Sequence, residues 1–117
     1  MDFFCSEILS GRIPVEILYE SSRVMAFRPP QPVWDGHIIV LPRKHITSLT
    51  DAARADEKIL VELLGIATRF AREVEEEHGS SRVFTDSGDT QVVPHLHFVV
   101  HGGARIAPPD DGPAGVS

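Results

Sequence analysis

The chain carries a single cysteine, Cys5, and this excludes an internal disulfide framework. No apolar run approaches the ~20 residues that a bilayer-crossing helix needs, so no membrane span or membrane partner is expected. The first residues, MDFFCSE, begin acidic and offer too short an apolar run for a secretory signal. Basic residues are in deficit, with 11 Lys and Arg against 17 Asp and Glu and a net charge of −6. A nucleic-acid backbone is therefore not expected as the main partner. A phosphate ligand would need a locally positive pocket. These absences together point to a cytoplasmic protein.

The chain has 117 residues, enough for one domain with a single core. Apolar content of 42% and charged content of 24% are ordinary for a globular protein. There is no internal repeat. The segment APPDDGPAGVS (107–117) is rich in Pro, Gly and Asp and is expected to be a flexible tail, leaving a domain over 1–106.

A short helix is expected near Asp2–Leu9, stopped by Gly11. VEILYES and RVMAF read as two strands joined at Ser21-Ser22. RPPQPVWDG (28–36) contains three prolines and is a loop of restricted shape. HIIVLP (37–42) is an apolar, β-branched run consistent with a buried strand. A long helix is expected from about Ala52 to His78. Leu60, Leu63, Leu64, Ala67, Phe70, Ala71 and Val74 follow its 3–4 spacing, Thr50 or Asp51 can cap its start, and Gly79 can end it. SRVFT (81–85) and VVPHLHFVVHGG supply two more strands. Antiparallel strands with helices on one face make an α+β architecture.

The stretch QVVPHLHFVVHGG holds three of the six histidines. In a strand, residues two apart point the same way. His95, His97, Val99 and His101 then share one face, and Leu96, Phe98 and Val100 suit packing on the long helix. The bland alternative is an exposed polar face. Adjacent imidazoles otherwise serve metal ligation or nucleophilic and acid–base chemistry near neutral pH. Metal binding would want more carboxylate or thiolate nearby than Cys5 and a few acids.

PHLHFVVHGG resembles the signature of the histidine triad (HIT) superfamily, His-φ-His-φ-His-φ-φ followed by Gly-Gly. FFCSEILSGRIPVEILYES, VMAF, GHIIVLPRKHITSL, the long helix and TQVVPHLHF are similar to that family in order and spacing over residues 2 to 104. The nucleotide-binding hydrolase branch is the nearest. The resemblance implies an antiparallel sheet of about five strands with one long and one short helix. It implies hydrolysis or transfer at a nucleoside phosphate, a phosphoramidate or phosphoanhydride, through a nucleotidyl-histidine intermediate. His97 matches the nucleophile, His95 an orienting histidine, and His37 a histidine lining the site. Phe27, Arg28, Thr90, Gln91, Val99 and His101 fall where the substrate would lie. No cofactor is expected. Relatives of this kind pair as homodimers through the long helix and a sheet edge.

Four departures stand out. The third signature histidine is Val99, which cannot donate a hydrogen bond, and losing one such donor typically costs ~10²–10³ in rate. His101 points the same way but lies ~6–7 Å further along the strand. Pro29 occupies the place of the family's ribose-binding aspartate, so Arg28, Gln31, Trp34 and Asp35 are expected to shape a different pocket or, for Trp34, to cap the core. Asp89-Thr90-Gln91-Val92 replaces a Gly-Gly-Gln segment. Some bacterial relatives hold zinc through Cys-x-x-Cys and two histidines. Cys5, His45 and His95 match three of those ligands, but Asp2 stands for the first cysteine and is a poor anchor, so no metal is expected. Two alternatives to the hydrolase remain: a nucleotide- or phosphometabolite-binding module with little turnover, and an enzyme with a specialised non-nucleotide substrate.

Overall fold

Two unbroken apolar runs form the middle of the molecule because both faces of each are covered. These are β2 (Val24–Arg28) and β3 (Ile38–Pro42), whose residues are buried except Arg28. The structure, a computed structural model, describes residues 2–106; the expected tail over 107–117 lies outside the described residues. β1 (Glu16–Glu20) pairs antiparallel with β2, which pairs with β3. β5 (Phe98–His101) lies antiparallel to β3 on one side and to β4 (Arg82–Phe84) on the other. The order β1-β2-β3-β5-β4 leaves β4 as an edge.

One face of this five-stranded sheet carries α1 (Glu57–His78). Leu63, Ala67, Phe70 and Val74 pack on Val24, Ala26, Val40, Leu96 and Val100. The apolar stripe is narrower than expected, because Leu64 is 58% exposed. The other face carries the short helix Phe4–Ile8, a single π-helical turn closed by Leu9 N–H donating to Phe4 O at 2.8 Å. There Phe4 and Ile8 pack on Met25, Phe27, Ile39, Leu41 and Val99. Glu62 on α1 accepts from Tyr19, at 2.9 Å, and from Ser21, tying the β1–β2 turn to the helix.

Two boundaries differ from the sequence reading. α1 begins at Glu57, not Ala52, after two 3-10 turns (Leu49–Asp51 and Arg54–Asp56). Asp56 holds the N-cap position, its carboxylate accepting from Ala53 N–H and Lys44 Nζ, each at 2.8 Å, while Thr50 and Asp51 lie in the earlier 3-10 turn and do not cap the helix. Gly79 closes α1 as expected, at φ +86°. β5 starts only at Phe98. His95 N–H turns back onto Val93 O, and Leu96 N–H donates to Ile46 O at 2.6 Å, so the strand ladder cannot start earlier. No helix among the described residues is long and apolar enough to cross a membrane.

Candidate functional site

The alternation read from the sequence persists through the non-strand residues before β5. Leu96 and Val100 face α1, while His97, Val99 and His101 lie on the side of the N-terminal helix and the 28–36 loop. None of the three signature-region histidines forms an exposed polar face: His95, His97 and His101 are 0%, 4% and 5% exposed.

His97 Nδ1 lies 2.7 Å from the carbonyl of His95. A carbonyl only accepts, so Nδ1 carries the hydrogen and Nε2 keeps its lone pair. Nε2 has no hydrogen-bond partner among the described residues. Burial pushes the imidazole's pKa below its usual 6.5, against the raising effect of the His95 carbonyl, so the ring is neutral at pH 7. Thr85 Oγ1 donates to His97 O at 2.7 Å and fixes the backbone there. Phe4 stands edge-on to the ring at 4.9 Å and forms its near wall.

His95 is held from both sides. Its Nε2–H donates to Pro42 O at 2.8 Å, which turns the Nδ1 lone pair toward Asp2 Oδ2 at 3.2 Å and Cys5 Sγ at 3.4 Å. His45 Nδ1 lies 2.7 Å from Asp2 Oδ2 and 3.9 Å from Cys5 Sγ. Asp2, Cys5, His45 and His95 thus present four ligand atoms within 4.8 Å of one another. A tetrahedron with Zn–N and Zn–O near 2.0–2.1 Å and Zn–S near 2.3 Å has edges of roughly 3.3–3.6 Å; the His95 separations of 3.2 and 3.4 Å match it, and the others lie on either side, from 2.7 Å to no more than 4.8 Å. The donor set fits. An imidazole whose other N–H is committed to a backbone carbonyl is also the usual form of a metal-ligating histidine. The sequence reading set Asp2 aside as a poor anchor. In the fold its side chain is 1% exposed, and Cys5 N–H donates to Oδ1 at 2.9 Å. Burial raises the Asp2 pKa, but the hydrogen bond from the Cys5 amide leads the effects that outweigh it, and the carboxyl stays below its usual range. Burial and Asp2 push the Cys5 thiol up to about 11.

The remaining expected residues divide between two places. His37 Nδ1 accepts from Val33 N–H at 3.1 Å and lines a cavity of about 390 Å³ with Arg28, Pro29, Pro30, Trp34 and Asp35. His97 is not on the walls of that cavity, so His37 and His97 do not share it. Phe27 is buried against Phe4. Arg28 lies 3.6 Å from Glu16, and Gln91 Nε2 donates to Thr47 O at 2.6 Å. Thr90 Oγ1 donates to Asp86 Oδ1 at 3.2 Å. Val99 is 1% exposed and offers no polar atom.

His101 takes a course that the sequence reading missed. It is stacked on Trp34, with ring centroids 4.0 Å apart and planes 12° apart, and Phe84 lies edge-on at 6.1 Å. The signal was available: Trp34 is the one tryptophan, placed in a loop that Gly102 and Gly103 pull in. Both glycine amides donate to Asp35 O, at 3.5 and 3.1 Å. A Cβ at Gly103 would stand 2.1 Å from Asp35 Cβ, and one at Gly102 would stand 2.4 Å from Ser80 O. The pair therefore permits close approach of backbone, and its amides are spent on Asp35.

Burial, then the neighbouring Arg82 guanidinium, pushes the His101 pKa below its usual 6.5. Its folded pKa is thus below the unfolded one. This contribution to stability is complete above the unfolded value and is lost as the pH falls from about 6.5 toward the folded value. Urea midpoints are expected to fall between about pH 7 and 5.5, and His101→Leu to reduce that fall. An equal fall in the variant would contradict this.

The HIT domain family model matches residues 10–105. A 13.2 kDa HIT-like protein of Azospirillum brasilense is 31% identical over 106 residues, covering 88% of this chain and 87% of that protein. A histidine triad protein from Clostridium difficile is 32% identical, with a TM-score of 0.72 over 92% of this chain and 94% of that one. A HIT family hydrolase from Clostridium thermocellum is 27% identical, with a TM-score of 0.76 over 93% and 96%. The five-stranded sheet with its long helix and these likenesses agree: the chain belongs to the HIT family of histidine triad proteins.

Proposed function

We propose that the protein is a HIT-family hydrolase that acts at phosphorus in a nucleoside phosphate or related phosphorylated small molecule, with His97 as nucleophile. The observation that carries this reading is the 2.7 Å bond from His97 Nδ1–H to His95 O, which leaves the Nε2 lone pair available on a neutral ring. In the first step the Nε2–P bond forms and the bond from phosphorus to the leaving group breaks, and the leaving group departs with the electron pair and takes a proton from solvent. In the second step a water oxygen attacks phosphorus, the N–P bond breaks with its electron pair returning to Nε2, the water gives up a proton to solvent, and His97 returns to its neutral form. Splitting one displacement into two lowers each barrier. His95 positions the nucleophile through its carbonyl. The hydrolase named among the structural relatives supports the same class.

Asp2, Cys5, His45 and His95 would hold a zinc-type cation. Four protein ligands close its coordination sphere, so it would supply structural tethering and no activated water.

A second reading, a phosphometabolite-binding module with little turnover, draws on Val99 in the third histidine position and on Phe4 standing 4.9 Å from the His97 ring. The experiment that separates them is incubation with an adenosine phosphoramidate. The hydrolase releases free monophosphate and gives a protein mass shift of one nucleotidyl group. Saturable binding with neither would leave the module.

Pairing of two chains through β4 fits the exposed edge, where Val83 is 38% exposed. Light scattering is expected to give twice 12.9 kDa, and a mass of 12.9 kDa would refute the pairing.

A further inference from the structure

We propose that occupancy of the Asp2–Cys5–His45–His95 cluster sets the tautomer and ring position of His97, with His95 and Phe4 as the positioning residues that carry the effect. The inference rests on the cation reading of that cluster and not on turnover. It starts from a conflict at His95. Both ring nitrogens face acceptors: Nε2 lies 2.8 Å from Pro42 O and Nδ1 lies 3.2 Å from Asp2 Oδ2. The ring is fully buried, so solvent reaches neither nitrogen. A neutral imidazole has one hydrogen for these two acceptors. With the hydrogen on Nε2, a lone pair faces the Asp2 carboxylate. With it on Nδ1, a lone pair faces the Pro42 carbonyl. A cation among Asp2, Cys5, His45 and His95 ends the conflict, because it takes the Nδ1 lone pair and the carboxylate together.

Two paths lead from this ring to His97. The first is the backbone of the same residue. The carbonyl that holds His97 Nδ1–H at 2.7 Å belongs to His95, whose side chain bears the conflict. His95 precedes β5, and its N–H is turned back onto Val93 O at 2.8 Å, so the sheet ladder does not fix that carbonyl. The second path is Phe4. It neighbours Cys5 in the π-helical turn and stands edge-on to both imidazoles, 5.9 Å from His95 and 4.9 Å from His97. Phe4 is 2% exposed, so a shift of Cys5 drives a packed ring against both.

With the cluster filled, the His95 ring and the N-terminal turn have one arrangement, and His97 keeps its hydrogen on Nδ1 and its lone pair on Nε2. With the cluster empty, the conflict at His95 is relieved by movement. The bond to the His95 carbonyl loosens, and the hydrogen of His97 distributes over both of its nitrogens.

The test is the tautomer of His97, read from long-range proton–nitrogen couplings of the full isotope-labelled chain at about pH 8, where the lowered pKa keeps the ring neutral. Its signals are assigned by their loss in His97→Asn. Zinc is added to saturation or removed with a chelator, and the metal content of each sample is measured. The ratio of the Nδ1–H to the Nε2–H form is expected to be about tenfold higher in the loaded protein, as the hydrogen bond to His95 O is regained. His45→Ala removes the exposed ligand, and at zinc levels that saturate the parent it should keep the chelated pattern. Asp2→Asn is the converse. Its Oδ1 keeps the Cys5 N–H and its amide donates to the His95 Nδ1 lone pair, so even the chelated variant should show the loaded pattern. An unchanged ratio in a parent that binds zinc overturns the coupling and leaves the cation site standing. A parent that binds no zinc overturns both. Chelated Asp2→Asn that matches the chelated parent also overturns the inference. The parent comparison needs no variant to fold. A coupling that holds in a protein without turnover refutes the hydrolase reading alone.

Discussion

Replacing His97 with alanine is expected to remove phosphoramidate hydrolysis and the covalent adduct together, by on the order of 10³-fold or more. The size of the effect follows from its place in the pathway: with no imidazole at this position neither N–P bond formation nor the second displacement can occur, and only direct attack by water remains. His97→Asn is the sharper companion. Its side chain can still bond the His95 carbonyl, which the native ring meets at 2.7 Å, so packing is kept while the nucleophile is lost. Single-turnover release of monophosphate, read beside intact-protein mass, checks both variants. Residual hydrolysis within a few-fold of the parent in His97→Asn would place the nucleophile elsewhere, and an adduct mapping to His37 or His101 would say where.

The second large effect is on stability. Addition of zinc is expected to raise the melting temperature, and a chelator to reverse the rise. A cation present at about 100 times its Kd stabilises by about 2.7 kcal/mol. For a domain of this size that corresponds to roughly 10 °C. The ligands make the effect large because they tie Asp2 and Cys5, on the N-terminal segment, to His95, 93 residues from Asp2 along the chain. Binding must also displace the proton of the Cys5 thiol, whose pKa lies at about 11. Apparent affinity should therefore rise about tenfold per pH unit over the neutral range, with one proton released from that thiol. Cys5→Ala should abolish the shift, and Asp2→Ala should weaken it. A melting temperature indifferent to zinc and chelator alike would sink the assignment.

The sheet and long helix were legible because their patterns are local. VMAF and IIVLP are runs that only a sheet covered on both sides accommodates, and both lie there. Leu63, Ala67, Phe70 and Val74 mark the buried stripe by spacing alone. The start of α1 was missed because Thr50 and Asp51 resemble caps, whereas the helix begins after Asp56, whose carboxylate is held by Lys44, a partner 12 residues away. The histidine spacing singled out His95 and His97 as a pair, and their roles, with that of His37, were what the family resemblance implies. The full metal cluster was not legible: nothing local to Asp2 announces that burial and the Cys5 amide hold its carboxylate against His45 and His95. His101 illustrates the same limit. Parity put it on the right side of the strand, yet only tertiary packing decided that its face would be covered by an indole.

The Gly102-Gly103 pair lets the 28–36 loop lie flat against the end of β5. Any side chain at Gly103 would act as a spacer against Asp35, lifting the 28–36 loop outward and parting the indole from the imidazole beneath it. At the opposite end the His97 ring meets Phe4 and the His95 carbonyl. A side chain at Gly103 would thus reshape the wall of the cavity lined by Trp34, Asp35 and His37 before it reached the His97 ring.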